Sequence, residues 1–419
     1  MGSKAYHRGV ALAAVAALLA MGTARAETLH IGVTATLEGT YTVLGQDGIR
    51  GLKVALKEFG GKAGGYDIDP IIESTDASPD SAVRAVRKLV EQDHVKIVIA
   101  PLSGSEGIAV KEYAKTQPNV VFVNGASGAQ ETTYDHPAPN FYRFNPDGAQ
   151  MSAGLGSYIY NVKHWKKIAT IGEDYSFVYT QVFGLVLEYC AAGGQIEHRF
   201  WVPLGTKDFS SVISQLPDDV DAIYVGLGGG DAVNFLTQYQ QAGGTAKLIG
   251  GSIMVDQTVL SSKGKAKDAL IGTPTAGPQA DTSPDPKWQA FVKAYQGAFP
   301  PDQRFPSPSL LATFYYLNTK AVLTVLNDIK GDLGNNEAKL RSGLAGLVLH
   351  GPTGVIRLDH NRQAIAPNFV SEVVQDSAGN LVSKLVKTIP DVPQTLGLDP
   401  AKFATIGAPS RTVPECKKY

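Results

Sequence analysis

For most of its length the chain alternates short apolar runs with longer amphipathic ones. LHIGVTAT (Leu29 to Thr36) reads as a strand. GIRGLKVALKEFG (Gly48 to Gly60) reads as a helix whose Ile49, Leu52, Ala55, Leu56 and Phe59 share one stripe. YDIDPIIEST is a strand, and SPDSAVRAVRKLVEQ a helix with Ser78 at its N-cap and Pro79 as first helical residue. VKIVIA and PNVVFVN are strands on either side of the helix SEGIAVKEYAKT. The rhythm restarts after Arg143. GAQMSAGLGSYIYNV, SFVYTQVFGLVLEYCAAGG, DFSSVISQLP and DAVNFLTQYQQAGG read as helices, with KKIATIG, QIEHRFWV, VDAIYVGL and AKLIGG as strands between and after them. Strands apolar on both faces belong in buried parallel sheets. Two successive βα series predict an α/β protein of two doubly wound, Rossmann-like lobes.

The later chain breaks the rhythm. SPDPKWQAFVKAYQGAFP and SPSLLATFYYLNTKAVLTVLNDIK read as long helices, and GVIRLDHN, AIAPNFVSEVVQ and NLVSKLVKTI as short antiparallel strands. If the helices return to the first lobe and the strands to the second, the chain crosses three times, near Phe144, Ala276 and Gly351. The expected division is a leader at 1–26, an N-terminal lobe of 27–144 plus 277–351, a C-terminal lobe of 145–276 plus 352–400, and a tail at 401–419.

The leader reading rests on Lys4 and Arg8, the apolar run Val10 to Met21, and the small side chains of Ala24 and Ala26. Twelve apolar residues are too few to span a bilayer, so cleavage after Ala26 and export to the periplasm are expected. About 393 residues then remain, enough for two cores, with 35 basic against 39 acidic side chains. A net charge of −4 without a basic stripe excludes nucleic acid as a natural partner. Export permits a disulfide between Cys190 and Cys416, the only cysteines; two unpaired thiols are the equal alternative.

In open α/β sheets ligands sit beyond the carboxyl ends of the strands. The corners there are TLEGTYTVLGQDG (Thr36 to Gly48), PLSGS (Pro101 to Ser105) and NGASGA (Asn124 to Ala129) in the first lobe. In the second they are GEDYSF (Gly172 to Phe177), GLGGGD (Gly226 to Asp231) and GGSIMVD (Gly250 to Asp256). Small residues let main-chain N–H groups approach a ligand, and helix starts add unpaired donors, so PLSGS and NGASGA suit a carboxylate. Ser103 and Ser127 can add hydroxyl donors, or Ser103 and Ser105 can simply cap a helix. Tyr41, Tyr175, Phe177 and Tyr179 offer ring walls for an apolar body, or plain packing. Arg143 can reach an anion or bind crossover carbonyls.

Catalytic patterns are incomplete. Gly125-Ala126-Ser127-Gly128-Ala129 lacks the last glycine of a nucleophile elbow. Gly226 to Asp231 puts an acid where a dinucleotide fingerprint needs glycine. The eight histidines show no metal-ligand spacing, so neither a metal nor a cofactor is expected, and no enzyme.

TATLEGTYTVLGQDGIRGLKVALKE, IAPLSGSEG, NFYRFNPDGAQ and DAIYVGLGGGDAVNFLTQYQQAG resemble, in order and spacing, the periplasmic solute-binding proteins of branched-chain-amino-acid-type ABC transporters. The resemblance implies the type I periplasmic binding protein fold, a ligand closed between lobes, and delivery to a membrane permease. It carries the ligand contacts onto Ser103, Gly104, Ser105, Ala126, Ser127, Gly128, Gly228, Gly229 and Ser252, and Tyr41, Leu44, Tyr175 and Phe177 join them as candidate walls. Amino-acid-binding members hold the ammonium with an acid where Ser252 stands, and often use a threonine where Gly128 stands; a tyrosine of theirs falls within Gly228–Gly230. These departures argue against an α-amino acid, since a buried ammonium without a carboxylate is costly. Glu173, Asp174, Asp231 and Asp256 remain as replacement acids. The expectation is a monomeric receptor for a small aromatic carboxylate such as benzoate, 4-hydroxybenzoate or a phenylpropenoid. A branched-chain amino acid or amide, or a ligand-presenting role beside a membrane sensor, is the alternative.

Overall fold

A computed structural model describes residues 27–419, so the expected leader lies outside the described residues. The first sheet holds β1 (Thr28–Thr36), β2 (Lys62–Ala63), β3 (Tyr66–Thr75), β4 (Ile97–Ile99), β5 (Val121–Val123) and β6 (Phe141–Tyr142), in the order β2-β3-β1-β4-β5-β6. Ile31 to Thr36 are all buried, as a strand covered by helices on both faces requires. β1 pairs with β3 in parallel over Thr28↔Asp67 to Thr36↔Thr75, and with β4 on its other side. The strand order therefore reverses at β1, and the corners after β1 and β4 flank a switch point.

The second sheet holds β7 (Lys167–Glu173), β8 (Gln195–Val202), β9 (Ala222–Gly226), β10 (Lys247–Gly250), β11 (Pro274–Gly277), β12 (Leu349–Gly351), β13 (Gly354–Leu358), β14 (Ala364–Gln375) and β15 (Leu381–Val392). β7 lies between β8 and β9, which makes a second switch point there. β14 runs antiparallel to β11, and β15 antiparallel to β14, as the patterning predicts. The two doubly wound sheets give the expected α/β class.

The capping signals hold locally. The Pro79–Arg87 helix begins after Ser78, whose hydroxyl accepts from the Ser81 amide at 3.3 Å. The long helices Pro286–Ala298 and Leu310–Asp328 form where periodicity places them. Two readings differ, and one further segment carries no sequence signal. The first helix spans Thr42–Glu58, not Gly48 to Gly60. Its Gly45 is needed by packing rather than by a loop: a Cβ there would stand 1.8 Å from the Thr36 carbonyl oxygen. The segment after Arg143 splits into Gly148–Met151 and Leu155–Asn161, because Gly154 takes a φ of 88° between them. The segment Gly334–Gly346 buries Glu337, Leu340 and Leu344, too few apolar positions for a period to show.

Arg143 is fully buried and donates to the carbonyls of Ala129 (2.7 Å) and Ser127 (3.4 Å), to the Thr133 hydroxyl and to Gln363. Of its two readings, the structure places it on crossover carbonyls. Cys190 and Cys416 are disulfide-bonded, 226 residues apart. The tail is further held by Arg411 on Asp174, and by Arg199 on the Pro414 carbonyl at 2.6 Å. No helix among the described residues is long and apolar enough to cross a membrane. Because the cross-link closes a long loop, replacing Cys416 by Ser should lower stability by about 3 kcal/mol in denaturant titration, and reduction of the wild type should do the same.

Candidate ligand-binding cleft

The two switch points face each other. Tyr41, at the corner after β1, donates its hydroxyl to the Glu173 carboxylate at the end of β7, and lies 2.9 Å from the Tyr175 hydroxyl. Thr40 donates to Asp231 at 2.8 Å, Ser105 and Ser176 hydroxyls meet at 3.1 Å, and the Leu310 amide donates to Asp256 at 2.7 Å. All five contacts join one lobe to the other. The approach is close enough to exclude side chains. A Cβ on Gly104 would stand 2.8 Å from the Phe177 nitrogen, and one on Gly229, at a φ of 50°, would stand 2.5 Å from the Thr40 oxygen.

Between these contacts lies a narrow slot with about 20 Å³ of free space, close to what a single water needs, so a ring enters it only when the lobes part. The Tyr41, Tyr175 and Phe177 rings stand in series, with centroids 6.1 and 6.2 Å apart. Leu44, Ala126, Met151 and Ile253 add apolar surface. At one end is the N-terminus of the Gly104–Thr116 helix. Ser103 and Glu106 form a capping box: the Ser103 amide donates to Glu106 at 2.7 Å, and the Glu106 amide to the Ser103 hydroxyl at 3.3 Å. The Gly104 and Ser105 amides make no hydrogen bond within the described residues, nor does that of Gly128 across the slot. These are donors suited to an anion.

Eight residues singled out from sequence line the slot together: Tyr41, Leu44, Ser103, Gly104, Ala126, Gly128, Tyr175 and Phe177. The hydroxyl donors expected there are committed elsewhere. Ser103 donates to the Ala77 carbonyl at 2.9 Å. Ser127 is fully buried and donates to Asn124 at 2.7 Å, because its corner packs against Gly107 rather than toward the slot. Ser105 pairs with Ser176. The Gly228 amide donates to Glu173 at 3.1 Å, and Gly229 packs on Thr40. Ser252 accepts from Gln181 at 2.6 Å, beside Met151. Tyr179 lies on Trp201, outside the slot. Of the replacement acids, Asp174 is paired with Arg411, and Glu173, Asp231 and Asp256 each accept hydrogen bonds from the protein. Sequence reading did not single out Leu102, Leu310, Leu311 and Phe314. The last three start a helix buried on nearly all sides, where periodicity cannot separate a ligand wall from core.

Burial raises the Glu173 carboxyl well above its ordinary range, helped by Asp231, while the Tyr41 hydroxyl and Gly228 amide oppose the shift. Burial also pushes Glu106 up to about 7 against the hydrogen bonds it accepts.

One match decides the family: the model described as periplasmic binding protein matches residues 28–379. The chain belongs to the periplasmic binding protein family. It is 25% identical over 394 residues to Leu/Ile/Val-binding protein homolog 7 of Brucella suis biovar 1, covering 90% of this chain and 95% of that one. A solute-binding protein of an ABC transporter from Rhodopseudomonas palustris BisB5, solved with 3,4-dihydroxybenzoic acid, superposes with a TM-score of 0.79 at 25% identity, covering 90% and 99% of the two chains. A leucine-binding protein from Thermotoga maritima, 18% identical over 86% of this chain and 99% of its own, shares the fold with a TM-score of 0.74. Members of the family are solute-binding proteins.

The Glu106 environment fixes the sign of one pH effect. The carboxyl releases its proton near 4.5 when exposed but near 7 when folded. The folded state therefore binds the extra proton, and stability contributed by the neutral form, on the order of 3 kcal/mol, is lost as pH rises from 4.5 to 7. Glu106→Gln keeps an acceptor for the Ser103 amide without the charge. Denaturant titrations should show it gaining stability relative to wild type across that interval and no further above it.

Proposed function

We propose that this chain is the extracytoplasmic receptor of an ABC importer, exported by cleavage after Ala26, which closes on a small aromatic carboxylate and delivers it to a membrane permease. One observation carries the ligand class. The interlobe slot has aromatic and aliphatic walls, and the amides of Gly104 and Gly128 in it, with that of Ser105 next to Gly104, make no hydrogen bond among the described residues. A carboxylate set on these amides gains charge-assisted hydrogen bonds at a helix start, and a ring gains burial against Tyr175 and Phe177. The dihydroxybenzoate-bound relative supports this reading.

The curated relative's name favours a branched-chain amino acid as the second reading. Ser252 stands where the resemblance puts the acid that holds an α-ammonium, and its hydroxyl already accepts from Gln181. No acidic side chain lines the slot among the described residues, so the ammonium would lose hydration without a counter-charge.

Closure is a hinge motion that the ligand favours by contacting both lobes at once. Tyr41 couples the ligand wall to the interlobe contact with Glu173, so Tyr41→Phe should weaken binding about tenfold by leaving a buried carboxylate short of a donor. Calorimetry against benzoate, 4-hydroxybenzoate, coumarate, leucine and short amides tests the ligand class. Saturable binding of an aromatic acid with no heat from leucine is expected. Leucine binding with no response to any aromatic acid overturns the reading.

A further inference from the structure

Beside the slot lies a second recess of similar size, with about 20 Å³ of free space, where the chain leaves β11 for the Pro286–Ala298 helix. Leu310 stands in the walls of both. Ser252 lines the recess, and its hydroxyl lies 3.5 Å from the Met151 sulfur, which lines the slot. Leu310 and the Ser252–Met151 contact thus stand between the two spaces.

The recess differs from the slot in chemistry. Its walls carry two carboxylates, Asp256 and Asp281, and no cationic group acts on either. Asp281 accepts from the Ser383 amide and from Gln257, each at 2.8 Å. Asp256 accepts from the Leu310 and Thr258 amides at 2.7 and 3.0 Å. Two further polar atoms are unsatisfied. The Thr275 hydroxyl has no partner although the residue is only 5% exposed, and the Gln279 side-chain oxygen has none either. Both residues line the recess. A buried polar group without a partner costs about 1–3 kcal/mol, so an unpaired hydroxyl and amide oxygen beside two carboxylates mark a place where donors are missing. An anion has no complement here.

We propose that this recess is a second subsite of the cleft, and that it takes an ammonium group carried on the far end of the ligand. The proposal rests on the aromatic-carboxylate reading and narrows it. The ligand is two-ended, with its carboxylate at the Gly104, Ser105 and Gly128 amides, its ring in the slot, and an aminoalkyl substituent reaching past Leu310 to Asp281, Thr275 and Gln279. Its ammonium is remote from the carboxylate, unlike that of an α-amino acid. Thr275 and Asp281 are then specificity-determining residues.

Matched pairs test this by calorimetry: 4-(aminomethyl)benzoate against 4-ethylbenzoate, and 4-(2-aminoethyl)benzoate against 4-propylbenzoate. The amine of at least one pair should bind about tenfold or more tightly than its hydrocarbon partner. Asp281→Asn, which keeps an acceptor for Ser383 and Gln257, should abolish that preference. Thr275→Val removes a hydroxyl that holds nothing in the fold. It should reduce the preference several-fold without lowering the melting temperature, which keeps the test open if Asp281→Asn folds poorly. Equal affinity within both pairs, or a preference that survives both substitutions, overturns the second subsite while benzoate binding leaves the first reading intact. Failure of all four acids to bind overturns both.

Discussion

The hydrogen bond from Tyr41 to Glu173 ties the two halves of the molecule at their switch points. A buried carboxylate must be satisfied or neutralised, and Glu173 draws one partner, Tyr41, from the opposite lobe and another, the Gly228 amide, from its own. That requirement aligns the corners after β1, β7 and β9. Thr40 then meets Asp231, and Gly229 lies against the Thr40 carbonyl with no room for a side chain. The slot is the space these contacts leave, walled by the same Tyr41 and by Tyr175.

The anion end follows from helix capping. Ser103 and Glu106 satisfy each other, which removes the Ser103 hydroxyl and amide from ligand chemistry. The next two amides, of Gly104 and Ser105, remain as donors, and Gly104 brings them against the second lobe. On the proposed reading, a carboxylate is then held through the main chain. A side chain at position 104 would push the lobes apart, so one glycine serves both the donor geometry and closure.

Much of this was legible in the sequence. Apolar runs such as Ile31 to Ala35 and Ile97 to Ile99 announced buried parallel strands, and the Ser78–Pro79 pair announced a helix start that formed there. The corners carrying Tyr41, Ser103, Gly128 and Phe177 converge as strand topology requires. Side-chain commitments were not legible, because they are set by residues distant in sequence: Ser103 is claimed by Ala77, Ser127 by the packing of Gly107, and Asp174 by Arg411 in the tail. Thr275, Gln279 and Asp281 gave no signal either. Thr275 lies in a four-residue strand too short for a period to show, and Gln279 and Asp281 follow it in the loop before the next helix, so only the unpartnered atoms of Thr275 and Gln279 draw the eye there.

A crystal structure of the protein grown with 4-hydroxybenzoate tests the central claim most directly. The carboxylate oxygens are predicted within about 3 Å of the Gly104, Ser105 and Gly128 amide nitrogens, with the ring against Tyr175 and Phe177 and the Tyr41–Glu173 contact intact. A ring bound outside the cleft, or a carboxylate held by a lysine or arginine with those amides facing solvent, would contradict it.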